Sequence, residues 1–150
     1  MCAHYFFARP LIPFASDFPF RRTSINLQFG FIFPAAQIGG SLEYLLEHRD
    51  MKIPLTVYGQ FGAGRLFTIS GDINYYTPKI GFFTGKKNLH LDLNSGFVTL
   101  VDLENTGSTS FSPAGYLGFR YQRATKEVTS RYNIGVGFPE LLSFGIGTTF

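Results

Sequence analysis

The last ten residues, "LLSFGIGTTF" (141–150), alternate between large and small side chains. Successive side chains of a β-strand point to opposite faces of its sheet, so the alternation predicts a strand with two unlike faces. The large face carries Leu142, Phe144, Ile146, Thr148 and Phe150. The residues between them are Ser143, Gly145, Gly147 and Thr149, whereas one face of a soluble sheet usually presents larger polar or charged side chains to water. The stretch therefore predicts a strand whose large face is not meant for water.

The same period of two runs through the chain from Thr23 onward, and no stretch has convincing helical periodicity. With 141–150, seven further stretches predict eight strands: "INLQFGFI" (25–32), "IGGSLEYLLE" (38–47), "MKIPLTVYGQFGAG" (51–64), "NYYTPKIGFF" (74–83), "NLHLDLNSGFVTLV" (88–101), "GYLGFRYQ" (115–122) and "RYNIGVGF" (131–138). In the second of these, Leu45 breaks the alternation. Residues 23–150 are therefore predicted to form one all-β domain.

The connections between these strands alternate in length. Three are short, polar and turn-like: "HRDM" (48–51), "TGKK" (84–87) and "ATKE" (124–127). Three others are longer: "FPAAQ" (33–37), "GRLFTISGD" (64–72) and "LENTGSTSFSP" (103–113). The "PE" link at 139–140 is a short exception. The arrangement predicts an up-and-down meander with short turns at one end and longer loops at the other.

The composition excludes several classes of protein. Only 15 % of the residues are charged, against about 25 % in typical soluble domains, and 17 % are aromatic although Trp is absent. The single cysteine, Cys2, excludes an internal disulfide framework, and the three histidines show no metal-ligand spacing. A net charge of +3 without an arginine-rich arm or basic helix gives no support for nucleic-acid binding. No run reaches the length of a transmembrane helix.

Residues 1–22, "MCAHYFFARPLIPFASDFPFRR", differ from the rest of the chain. Pro10, Pro13 and Pro19 interrupt any regular element, and Arg9 breaks the apolar stretch that a secretory signal would need. We interpret this segment as an irregular N-terminal lead or a truncated signal.

The direction of the two strand faces decides the class of barrel. If the apolar face pointed inward, the glycine-rich face would meet water without the charges that a water-facing sheet carries. If it points outward into lipid, polar residues fill the interior, and this avoids a cost of about 2–4 kcal/mol for each Arg or Lys at mid-membrane. We therefore expect a closed, eight-stranded, antiparallel, up-and-down transmembrane β-barrel, because an open edge would leave hydrogen bonds unmade in lipid. The predicted interior polar network consists of Glu43, Lys79, His90, Asp92, Arg120 and Gln122, in which the carboxylates of Glu43 and Asp92 pair with Lys79 and Arg120.

The second half of the chain resembles a known family. "TGKKNLHLDLNSGF" (84–97), "GYLGFRYQ" (115–122) and "RYNIGVGFPELLSFGIGTTF" (131–150) are similar to the small eight-stranded outer-membrane β-barrel proteins of Gram-negative bacteria. From 23 to 77 the resemblance lies only in the pattern. Phe150 resembles the C-terminal insertion signal that the outer-membrane assembly machinery recognises. The resemblance implies the cell outer membrane as location, with outer-membrane lipid and that machinery as partners.

The functional expectation is a non-enzymatic barrel with an envelope-structural or surface-contact role. The loop at 103–113 is the candidate contact surface for a partner, since loops on rigid scaffolds often carry binding. No cofactor, metal or catalytic residue is predicted. Three alternatives stay open: a barrel that transports a small solute or lipid, a lipid-modifying enzyme that uses His90 and Asp92, and a soluble ligand-binding barrel.

Overall fold

The computed structural model describes residues 23–49, 53–85, 88–102, 108–124 and 129–150, and the predicted lead at 1–22 lies outside them. The described residues form eight strands: β1 (Thr23–Ile32), β2 (Ala35–Arg49), β3 (Leu55–Thr68), β4 (Gly71–Thr84), β5 (Leu89–Asp102), β6 (Thr109–Ala124), β7 (Thr129–Phe138) and β8 (Leu141–Thr149). Each strand pairs with the next, and β1 also pairs antiparallel with β8. The predicted closed, antiparallel, up-and-down barrel is confirmed.

The apolar face of the strands points outward. Leu27 and Phe29 of β1 each expose 44 % of their surface, and the corresponding residues of the other strands are similarly exposed. The polar residues between them, such as Asn26 and Gln28, are buried inside the barrel. Among the described residues, no helix is long and apolar enough to cross a membrane.

The prediction of longer loops at one end of the barrel is wrong for two of the three stretches. "FPAAQ" reduces to a turn at residues 33–34, and "GRLFTISGD" to a turn at residues 69–70, because the strands continue through the rest. In the third stretch, residues 109–113 belong to β6, whereas 103–107 lie outside the described residues. Glycine and charged residues favoured a loop in the sequence, but Gly64 and Arg65 remain paired with β4 up to the turn.

The strands differ in length, so one rim of the barrel is uneven. β7, β8 and β1 have 10, 9 and 10 residues, whereas β2 to β6 have 14 to 16. Pairing of β6 with β7 ends at Gly115 and Phe138, but β6 continues alongside β5 to Thr109. The wall is therefore lowest at the β7–β8 hairpin.

A β-bulge in β2 follows Leu45, the residue that broke the predicted alternation. Leu45 pairs with Tyr58 and Glu47 with Val57, which leaves Leu46 as an extra residue in β2. Leu45 keeps the inward-facing position of the alternation and is buried inside, whereas Leu46 faces outward, so the inserted residue changes the alternation only after position 46.

Glycines make room for large side chains inside the barrel. A Cβ on Gly81 would lie 2.5 Å from the Tyr58 hydroxyl oxygen, and one on Gly135 would lie 2.6 Å from Tyr116 Cζ. In each case the tip of a large side chain lies flat against a wall that has no side chain of its own. The narrow lumen is filled in this way.

Candidate functional site: the polar interior

Two arginines and two carboxylates cross the centre of the barrel. Arg120 of β6 donates hydrogen bonds to Asp92 Oδ2 from Nε at 2.8 Å and from Nη2 at 2.5 Å. Its Nη2 also donates to Glu43 Oε1 at 3.3 Å. Arg131 of β7 donates to both carboxylate oxygens of Glu43, with Nη2 at 2.6 Å from Oε1. The four side chains therefore link β2, β5, β6 and β7 through the lumen.

Aromatic groups extend this network. The Tyr58 hydroxyl donates to Asp92 Oδ1 at 2.6 Å, and Asn94 Nδ2 donates to the Tyr58 hydroxyl at 3.2 Å. The Arg120 guanidinium lies 4.7 Å from the ring centroid of Tyr58 and 4.3 Å from that of Phe83. These contacts hold the guanidinium plane in one position, because Arg stacks favourably on aromatic faces.

A second ion pair lies apart from the first. Lys79 of β4 donates to Glu140 Oε1, which belongs to the turn between β7 and β8, and both side chains are buried. The prediction that Lys79 pairs with Glu43 or Asp92 is wrong. The carboxylate of Glu140 reaches Lys79 because the turn folds inward, whereas Glu43 and Asp92 are occupied by the arginines.

The remaining predicted residues line the interior beside the network. His90 and Gln122 are both buried, and the His90 ring packs edge-on against Phe83 at 5.2 Å between centroids. The two carboxylate oxygens of Asp92 accept hydrogen bonds from Tyr58 and Arg120. Asp92 therefore serves as a counter-ion of Arg120, and this engagement counts against a role as general base.

The six predicted interior residues all lie buried inside the barrel, but sequence reasoning missed three of their partners. Arg131 and Tyr58 lie on the polar face of their strands in the sequence pattern, and this position could have identified them as interior residues. Glu140 had no such signal, since it lies in a two-residue turn, where an acidic side chain is ordinarily solvated.

The buried charges balance. Among the described residues the buried acidic side chains are Glu43, Asp92 and Glu140, and the buried basic ones are Lys79, Arg120 and Arg131. Buried charges of opposite sign stabilise each other only when they are paired and hydrogen-bonded, as they are here. The interior is thus a neutral, packed set of ion pairs.

Two buried asparagine side chains also pack against glycines of the barrel wall. Asn133 lies across Gly145 and Asn26 across Gly147, so that a Cβ on either glycine would meet amide Cγ at 2.8 Å. The Oδ1 atoms of both asparagines have no conventional hydrogen-bond partner and face the glycine Cα–H groups, which can make weak hydrogen bonds to oxygen.

Within the described parts of the chain, no three His, Cys, Asp or Glu side chains lie together as a metal site requires. The protein-family models contain no match to the chain, and no curated protein is significantly similar to it in sequence. The barrel and its interior are therefore the basis for a functional conclusion.

Proposed function

We propose that this protein spans the outer membrane of a Gram-negative bacterium as a non-enzymatic barrel. The main observation that supports this proposal is the outer surface of the barrel, where large apolar side chains face outward on all eight strands. Soluble monomers rarely expose contiguous apolar patches larger than a few hundred Å². A band of Leu, Ile and Phe around the whole barrel is suited to lipid.

The hydrogen-bond ladder supports the same proposal. In hydrocarbon each unpaired backbone group costs several kcal/mol, so a sheet in lipid must close on itself. The β1–β8 pairing achieves this, and Phe150 N–H donates to Thr23 C=O at 2.9 Å at the end of that seam. Phe150 remains the proposed insertion signal for the assembly machinery.

The polar ends of the barrel suit the two membrane surfaces. Arg49 pairs with Glu47 near one end, and Arg65 lies near Asp72 towards the other, all with exposed side chains. Tyr121 and Tyr132 face outward near the first end with their ring centroids 6.5 Å apart. Tyrosine is enriched at membrane interfaces, where its ring is half in lipid and its hydroxyl in water.

The filled interior favours an envelope-structural or surface-contact role over transport. The ion pairs of Arg120 and Arg131 cross the lumen, and eight strands leave space that side chains just fill. The surface-contact role has a candidate in the extension of β6 beyond β7, where Phe111 is exposed. Residues 109–113 of this extension belong to the predicted contact region at 103–113, of which 103–107 lie outside the described residues.

The experiment that tests the membrane proposal is a gel-mobility comparison of boiled and unboiled protein. The protein is refolded into detergent micelles and, in parallel, diluted into plain buffer. We expect a compact, faster band that is lost on boiling and forms only with detergent. A folded, monomeric β protein in plain buffer would contradict the proposal and direct attention to a soluble ligand-binding barrel.

A further inference from the structure

The turn between β7 and β8 is buried although it is the tip of a hairpin. Glu140 exposes only 2 % of its surface and Pro139 is fully buried, whereas the turn residues Phe33 and Ile69 expose 85 % and 83 %. We call residues 138–141 the plug turn. The plug turn lies at the lowest part of the rim and folds into the mouth of the barrel.

Two features show that tertiary contacts hold the plug turn in place. The Lys79–Glu140 ion pair ties it to β4. Leu141 has a φ of 58°, in the left-handed region that residues with a Cβ rarely adopt. Such a conformation persists only where the surrounding structure imposes it, and it is frequent at switch regions.

Polar groups without protein partners lie under the plug turn. Gly30 of β1 pairs with Gln37 on one side and with Ser143 on the other, so these residues form one row inside the wall. The backbone carbonyl of Glu140 and the side chain of Gln37 occupy the space next to Gly30 that a Cβ would need. Both amide atoms of Gln37, the Ser143 hydroxyl and Glu140 Oε2 have no hydrogen-bond partner within the protein.

These groups match the chemistry of a small neutral ligand. They offer both donors and acceptors, and the adjacent Lys79 balances the charge of Glu140. Buried polar groups of this kind typically bind water through two to four hydrogen bonds. Deeper in the lumen, the ion pairs of Arg120 and Arg131 close the barrel.

We propose that the plug turn is a movable closure over a polar site formed by Gln37, Ser143 and Glu140, and that this site takes up water and small hydrogen-bonding solutes when the turn lifts. The Lys79–Glu140 pair holds the turn closed. The inference deepens the proposed function, on which it rests for the membrane that surrounds the site.

The test measures how fast a cysteine under the plug turn reacts with a charged, membrane-impermeant thiol reagent. Cys2→Ser removes the single native cysteine, and Ser143→Cys introduces the probe. Thr149→Cys, which is buried on the same strand at the other end, is the matched control. Each cysteine probe is measured in three backgrounds. The first is the parent protein, the second carries Lys79→Met/Glu140→Gln, which removes both charges, and the third carries Lys79→Arg, which keeps the ion pair.

We expect the charge-removing change to accelerate labelling at position 143 about tenfold, a shift of about 1.4 kcal/mol in the opening equilibrium. Labelling at position 149 should not change, and Lys79→Arg should behave as the parent does. Equal labelling at position 143 with and without the pair would overturn the proposal, as would equal acceleration at both positions, which indicates global opening. Lys79→Gln/Glu140→Gln, which also leaves no unpaired charge, is the second variant if the first double change does not fold.

The test compares the labelling rates at position 143 with and without the ion pair. Both rates are measured on the folded barrel, either in detergent or in plain buffer, depending on which medium allows the protein to fold. A barrel that folds in plain buffer would contradict the membrane proposal and leave the ratio measurable. A detergent-dependent barrel with an unchanged ratio would contradict only the plug turn.

Discussion

Arg120 is the residue on which the interior network depends most. Its guanidinium contacts two carboxylates and two aromatic rings, and it exposes only 1 % of its surface. Arg120→Leu should lower the free energy of unfolding by about 3–5 kcal/mol, because Asp92 would keep only the hydrogen bond from Tyr58 and the more distant Arg131, 3.9 Å away. Urea unfolding in detergent measures this change.

Arg65→Leu is the matched control for that variant. The Arg65 side chain is half exposed and lies 3.6 Å from Asp72, and an exposed pair of this kind contributes about 1 kcal/mol or less. If Arg120→Leu were as stable as Arg65→Leu, the interior network would have no structural role.

Two glycines of β6 provide a test of the close packing inside the barrel. A Cβ on Gly118 would lie 2.5 Å from the backbone oxygen of Ile134 and 2.6 Å from Tyr116 Cζ, whereas the nearest atom to a Cβ on Gly115 is 3.5 Å away. We expect Gly118→Ala to destabilise the barrel by about 1–3 kcal/mol through overpacking. Gly115→Ala should change stability by about 0.5 kcal/mol or less, and equal losses in the two variants would refute this explanation.

The strands were predictable as elements because their two faces differ so strongly. The period of two placed Arg120 inside and Phe119 outside, as the structure has them. Strand ends were not predictable at the uneven rim, because Gly64 and Arg65 have the composition of a loop but continue a ladder that only the neighbouring strand reveals. Partner choice also failed at Lys79, since its partner Glu140 is 61 residues away in the chain and depends on a turn folding inward.

Substitutions on the outward face of β1 test whether this face meets lipid. Leu27 lies in the middle of β1 and is exposed. In a bilayer, Leu27→Arg should lower the free energy of unfolding by about 2–4 kcal/mol, the cost of an Arg near the membrane midplane. Phe33→Arg at the turn should lower it by only about 0–1 kcal/mol. Unfolding from liposomes measures both values. A Leu27→Arg protein of unchanged stability would show that this face does not meet lipid.

The whole barrel is predicted not to conduct ions steadily. Charge-balanced ion pairs span the lumen from β2 to β7, and no wide aqueous path remains between packed side chains in a barrel of this size. Planar-bilayer recordings of the wild-type protein should show no porin-like conductance. Glu43→Ala/Arg131→Ala, which leaves the Arg120–Asp92 pair balanced, should introduce a small steady conductance. A large conductance in the wild type would favour the transport alternative.

The seam between β1 and β8 also sets an order of events in time. The Ser24 hydroxyl lies 3.1 Å from that of Thr149, a contact across 125 positions of the chain. Contacts of such separation carry a large loop-closure entropy and form slowly. Until β8 has been synthesised, β1 has an unpaired edge, so the nascent chain needs protection from aggregation throughout synthesis. The barrel is therefore completed in a single late step, and a growing chain cannot acquire its native stability strand by strand.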